Sequence, residues 1–178
     1  MIKGLNVKGL CKQIKASKNN LIWSLKDGIH VITNRHWMIT FEEIPKEVLV
    51  TLFSLFVKMP EEGTALQASH FNREVSELIA VDVDKIRETA KNGTISTLTN
   101  LFSRSGDLVT RIFKTSEGFL YVKADYMHAI NEYGDVGEIL SSGKHSPVLF
   151  KNINYLILPY RREHNLLEEC LIEELTTK

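Results

Sequence analysis

Hydrophobic residues recur along this chain with two different periods, and the switches between them lay out its elements. In "NVKGLCKQIKAS", Val7, Leu10, Cys11 and Ile14 return at helical spacing, which predicts a helix with one buried stripe. Asn6 stands where an N-cap is needed. The pattern then turns to alternation on both sides of a turn. "LIWSLKDGIHVITN" reads as a hairpin, with alternating apolar positions on both sides of Asp27-Gly28, a pair suited to the positive dihedrals of a tight turn. "HWMITFEEI" continues as a strand. Pro45 fits the first helical position of "PKEVLVTLFSLFVK", and Pro60 stops that helix. Because it is apolar on several sides, it is expected to be the most buried helix.

Further on, "EEGTALQASHFNREVSELIA" reads as loop, strand or both. "VDKIRETAKNG" is a clearer short helix, with Asp82 or Asp84 near its start and Gly93 just past its end. "TISTLTNLFSR", "DLVTRIFKT" and "GFLYVKA" are strand-like runs, and Ser105-Gly106 and Glu117-Gly118 mark the turns between them. "DYMHAINEY" predicts another short helix, followed by a connection holding "GEILSSG". "SPVLFKNINYLILPYRRE" supplies two last strands, and the tail "RREHNLLEECLIEELTTK" predicts an acidic amphipathic helix with Leu167, Cys170, Leu171 and Leu175 on or near one face.

Consecutive hairpins with separate helices, and no regular strand–helix alternation, predict an antiparallel α+β fold. The expected organisation is a helix-hairpin-helix portion over 1–80, an α+β portion over 81–161 and the terminal helix over 162–178. Helix-then-strands recurs after Asn6, Pro45, Asp82 and Asp125, the rhythm of an internal repeat.

At 178 residues, 43% apolar and 25% charged, the chain has the size and composition of a soluble globular domain. Lys+Arg and Asp+Glu both total 22, so any electrostatic attraction must come from local patches. Cys11 and Cys170 fall in no metal or redox spacing and read as free thiols of a reducing compartment. The lysine-interrupted start has no signal-peptide core, and "EVLVTLFSLFVKM" is shorter than the roughly 20 residues a membrane helix needs. A cytoplasmic protein without membrane contact is expected, and a phage protein acting inside its host would look the same.

Candidate chemistry is sparse. His30 and His36 lie in or beside strands, His70, His128, His145 and His164 are scattered, and no second pair stands at ligand spacing. Glycine-rich phosphate loops, nucleophile elbows and HExxH are absent from the sequence, and Glu42-Glu43, Glu61-Glu62 and Glu168-Glu169 are doublets typical of solvated faces. Neither a metal nor a cofactor is implied, and a non-enzymatic role is the expectation. More informative are Lys8, Lys12 and Lys15, which share one side of the first helix, with Lys85, Arg87 and Lys91 as a weaker version on the third. Such rows follow the phosphates of double-stranded DNA without reading bases, and a solvated lysine face is the simpler alternative. In "YLILPYRR", Leu156, Leu158 and Tyr160 fall in phase beside Pro159 and Arg161. That row can be a buried strand ended by proline, or one wall of a site for a short hydrophobic peptide.

The stretch from Phe119 to Arg161 resembles the C-terminal part of bacterial sliding clamps, the processivity subunit of the replicative polymerase. "VKADYMHAI", "GEILSSG", "SPVLF", "KNIN" and "YLILPYR" stand in the order and at the spacing of that family's helix, its strand ending in Ser-Gly, and its "PFLI" and closing "LILPVR" segments. The resemblance implies an antiparallel sheet backed by paired helices that line a ring and face DNA. It also implies a pocket for partner peptides walled by Leu156, Leu158, Pro159, Tyr160 and Arg161. Tyr160 replaces a smaller aliphatic residue usual there, and the acidic tail extends past the family's usual end. A bacterial subunit carries three such domains, so encirclement by this chain would need a homo-oligomer. The function this implies is a clamp-like DNA-replication accessory protein. The alternatives are a phage-type interaction or inhibitor protein that sequesters a host factor without forming a ring, and a small enzyme with a dispersed site.

Overall fold

The turn at Asp27-Gly28 sets the first hairpin. Both residues take positive φ, 53° and 73°, the geometry that matches the natural twist of paired strands. Across it β1 (Ile22–Lys26) and β2 (Ile29–Thr33) pair antiparallel, and β3 (Trp37–Phe41) adds to β2. The computed structural model describes residues 2–68, 75–131, 137–161 and 166–176. His70 and His164, the end of the helix expected in "DYMHAINEY" and the first residues of the expected tail helix lie outside them.

The ambiguous segment after Pro60 supplies β4 (Thr64–Ala68), paired with β1, and β5 (Val75–Ile79), paired with β4. Strands β10 (Ile139–Ser141), β11 (Val148–Phe150) and β12 (Tyr155–Ile157) come from the other half of the chain. With β6 (Thr94–Ile95) they complete a nine-stranded antiparallel sheet of order β5-β4-β1-β2-β3-β12-β11-β10-β6. A separate three-stranded sheet holds β7 (Thr97–Ser105), β8 (Leu108–Thr115) and β9 (Gly118–Lys123). The protein is α+β, built on antiparallel sheets with packed helices. Pairing of β12 with β3 joins the expected 1–80 and 81–161 portions through one sheet, and a single core runs across both.

Strand periodicity sorts the large sheet's side chains onto two faces. One face carries Trp23, Ile32, Trp37, Ile39, Phe150 and Tyr155. It is covered by α1 (Val7–Ala16), α2 (Lys46–Phe56) and the inner side of the small sheet, which contributes Phe113, Leu120 and Val122. The other face carries Val31, Met38, Leu140, Leu149 and Leu156, against which α3 (Asp84–Lys91) and its preceding Val83 place their apolar side.

Local signals explain where the helices lie. Asn6 caps α1 as expected, its Oδ1 accepting the Gly9 N–H at 3.0 Å. Gly9 is required for a different reason, since a Cβ there would lie 1.7 Å from the His128 carbonyl oxygen. Helix α2 follows Pro45 directly but ends at Phe56, ahead of Pro60, because Val57 turns to a φ of 67°. Its apolar character on several sides does not mean burial on all of them: Val48, Leu52 and Phe56 are buried, while Val50, Phe53 and Val57 are exposed.

One further expectation is corrected and two are refined. The run "TISTLTNLFSR" is two strands, divided at buried Ser96, whose N–H donates to the Ile139 carbonyl at 2.8 Å. That bond ties β6 to the large sheet while β7 enters the small one. The short helix expected in "DYMHAINEY" is a 3-10 helix, Ala124–Ala129, ended where Ile130 bridges Leu5. In α4 (Leu166–Thr176) the buried anchor is Ile172, packed on Ile112, Phe119 and Tyr121 of the small sheet's outer side. The apolar row Leu167, Leu171 and Leu175 faces outward, at 84%, 59% and 55% exposure.

Candidate peptide-binding groove

Strand β12 lies beside β3 in the register Tyr155↔Ile39, Leu156↔Met38, Ile157↔Trp37. Tyr155 and Ile157 therefore belong to the face under α1 and α2, and Leu156 to the face under α3. Leu156 and Leu158 line an apolar groove of about 370 Å³ on that second face. Buried Ile22 and Met38 complete its base with Leu156. Leu78 of β5, Val81, Val83 and Ile86 of α3 line it as well. Leu78, Ile86 and Leu158 keep 41%, 44% and 37% of their surface exposed, so the groove opens onto solvent along an apolar lip.

The connection from β5 to α3 is held in place from below. The Ala80 N–H donates to the Gly63 carbonyl at 2.9 Å. The Val81 N–H donates to Ser24 Oγ at 3.2 Å, and Asp82 pairs with Lys26 at 3.6 Å. These bonds fix Val81 and Val83 on the groove without using their side chains.

The loop between β2 and β3 brings the polar residues. Asn34 Oδ1 accepts the N–H groups of His36 and Trp37 at 3.0 and 3.1 Å. Thr33 Oγ1 donates to the Trp37 carbonyl at 2.6 Å and accepts the Arg35 N–H at 3.0 Å. This bonding offsets the cost of Arg35's positive φ of 73°, and both Arg35 and His36 remain exposed on the groove. The His36 ring stacks on Tyr126 with 6.2 Å between centroids. The groove thus offers apolar contact plus a basic end, the combination that receives an apolar segment bearing a carboxylate. Among the described residues, its lining contains no carboxylate and no cysteine.

Of the residues expected to form the peptide wall, Leu156 and Leu158 do line the groove, whereas Pro159, Tyr160 and Arg161 do not. The chain leaves the large sheet after the Leu158 N–H bonds to the His36 carbonyl at 2.8 Å. The Tyr160 N–H then bonds to the Tyr121 carbonyl of β9 at 2.7 Å, carrying Tyr160 toward the small sheet. Ile22, Met38, Val81 and Ile86 were not anticipated. The signal for Val81, Val83 and Ile86 lay in "VDVDKI", where alternation passes into helical spacing.

The opposite face is closed. There the Tyr155 hydroxyl lies between the Gln13 amide, to whose oxygen it donates, and the Tyr126 carbonyl, which accepts the Gln13 side-chain N–H at 3.3 Å. Trp37 Nε1 donates to the Gln13 amide oxygen at 3.1 Å when that amide is oriented to satisfy its neighbours. Burial pushes the Tyr155 phenol far above its ordinary value, so it acts as a neutral structural link.

Lys8, Lys12 and Lys15 are all exposed on α1, as helical spacing predicts. On α3, Lys85 and Lys91 are exposed and Arg87 is half-buried. The two helices cover opposite faces of the large sheet, so the two basic rows do not combine into one track. Cys11 and Cys170 are free thiols. Among the described residues, His, Cys, Asp and Glu form no group of metal-ligand size, and no helix is long and apolar enough to cross a membrane.

Taken together, these features define an α+β protein with a closed face and an open, apolar, basic-ended groove. No protein-family model, curated protein or solved structure gives a significant match to the chain.

Proposed function

We propose that this protein is a non-enzymatic, clamp-like accessory factor of DNA replication, located in the cytoplasm, which takes a short hydrophobic peptide of a protein partner into the groove beside β12. The observation that carries this reading is the position of Leu156 and Leu158. The closing segment that resembles the sliding clamps sets buried Leu156 at the base of an open apolar groove and exposed Leu158 on its lip. A lining that holds no carboxylate or thiol among the described residues suits binding rather than chemistry. The exposed row Lys8, Lys12 and Lys15 gives α1 a surface for duplex phosphates, and encirclement would require several copies.

The direct test is fluorescence anisotropy with labelled decapeptides carrying adjacent Leu and Phe residues and one acidic residue. Saturable binding is expected, weakened at least about tenfold by Leu158→Glu or Ile86→Glu, each of which places a charge on an apolar surface. Binding that ignores both substitutions, or none to any peptide of the panel, overturns the groove assignment. For the DNA arm, joint replacement of Lys8, Lys12 and Lys15 by Ala should reduce the salt slope of duplex binding by about 0.9 for each phosphate that a lysine no longer neutralises.

A second reading is an interaction or inhibitor protein, of the phage type, that uses the same groove without a ring. The placement of the lysine rows on opposite faces favours it, since only one row would face a threaded duplex. Peptide binding without any low-salt association with DNA selects this reading.

A further inference from the structure

We infer that α4 of one copy lays its leucine row over the groove of a second copy, joining chains head to tail. The inference rests on the groove reading above and names an occupant for it.

Helix α4 is anchored by Ile172, which leaves Leu167, Leu171 and Leu175 outward at 84%, 59% and 55% exposure. Their spacing of four puts them in one line, a form of apolar surface that marks an interaction site. The groove carries the matching partly exposed residues, Leu78, Ile86 and Leu158. It is sized for side chains from a helix resting on it rather than for the helix itself, the helix-in-groove mode of recognition.

Charge selects between partners. Leu166–Thr176 holds Glu168, Glu169, Glu173 and Glu174 and no Lys or Arg. Pairing α4 with another α4 would set these carboxylates against each other, whereas the groove presents Arg35 and His36. Glu174 falls beside the leucine row by helical spacing and is exposed, so it is placed to meet that basic end. The occupant must be a second copy. Helix α4 sits on the outer side of the small sheet, which covers the closed face, and the groove is on the opposite face of the large sheet. A contact of two different surfaces is heterologous, so it builds a closed ring or an open chain rather than an isolated symmetric dimer.

Sedimentation velocity on the full chain over a concentration series tests this through complementation. Wild-type protein is expected to show a mass that rises with concentration. Leu158→Glu, which spoils the groove, and Leu171→Glu, which spoils the helix, should each weaken association at least about tenfold. Both sites are solvent-accessible in the single chain, and Ile86→Glu and Leu175→Glu serve as independent replacements. The decisive sample is an equimolar mixture of the two single variants. L158E still offers an intact α4 and L171E an intact groove, so the mixture should form a one-to-one heterodimer. A mixture that stays monomeric, association that survives Leu158→Glu, or a wild-type chain that is monomeric throughout overturns the inference. If labelled peptides bind while the wild type stays monomeric, the α4 docking is wrong and the groove reading stands. If neither occurs, the groove reading falls with it.

Discussion

The two faces of the large sheet are built from different residues and are finished differently. On the α1/α2 face, Trp23, Trp37, Phe150 and Tyr155 are essentially inaccessible, and a polar network through Gln13 is sealed beneath the helices. On the α3 face the buried apolar residues are aliphatic or methionine, interleaved with buried Ser24, Thr33 and Thr40, and a helix of eight residues covers part of them. That helix packs over β10 and β11, and the stretch of β1, β3 and β12 beside it is left as the groove. The closed face holds the fold, because aromatic burial with satisfied polar groups is where large stabilisation accumulates. The open face leaves Leu78, Ile86 and Leu158 partly exposed along its lip.

The sharpest way to break this division is to remove one side chain from each face. Trp37→Ala leaves a cavity under α1 and should cost about 3–5 kcal/mol. Leu158→Ala, on the lip, should cost less than about 1 kcal/mol and lower peptide affinity instead. Urea denaturation, with the slope checked for constancy, measures both. Equal losses at the two sites would show that the groove lip belongs to the core and that the faces do not differ in role.

A single added methyl on the closed face makes the next largest effect. Gly9→Ala leaves α1 with a better helix former, yet the new Cβ meets the backbone carbonyl of His128 rather than a movable side chain. Helix and 3-10 turn must separate, and overpacking of this kind costs about 1–3 kcal/mol. A lowered urea midpoint is expected. If Gly9→Ala is neutral or stabilising, helix propensity outweighs the clash and the closed face is looser than its geometry implies.

What could be read from sequence was what local chemistry decides. Asn6, the Asp27-Gly28 turn and the alternation that puts Leu156 and Leu158 on one side are short-range signals, and the structure keeps each of them. The rest of the groove depends on pairings across long separations. Met38 meets Leu156 only through the β3–β12 register, and Ile86 arrives with a helix laid on that face. Nothing local announces either. The same limit explains the lysine rows: periodicity placed Lys12 and Lys85 on exposed helix sides, but which face of the sheet each helix covers is a property of topology. The buried anchor of α4 escaped for a related reason, since Ile172 is chosen by the surface of the small sheet and not by the helix's own leucine row.

The smallest expected effect concerns pH and the rim of the closed face. His30 is half-buried on β2, and its Nδ1 accepts the Trp23 indole N–H at 3.4 Å. Burial lowers its pKa from the ordinary 6.5, with the Glu62 carboxylate pulling partly the other way. The sign of the linkage follows from the unfolded chain taking up the proton first. Above about pH 6.5 both states hold neutral histidine and His30 contributes no pH dependence. As pH falls below that value, the unfolded state gains a proton the folded state resists, and stability declines until the folded pKa is passed, where the loss levels off. Protonation at Nδ1 also removes the acceptor for Trp23. Urea midpoints from about pH 7.5 to about pH 5 should therefore fall for the wild type and fall less steeply for His30→Asn, which cannot titrate. Identical slopes for the two proteins would assign the acid sensitivity to other groups and remove His30 from the account of how the closed face is held shut.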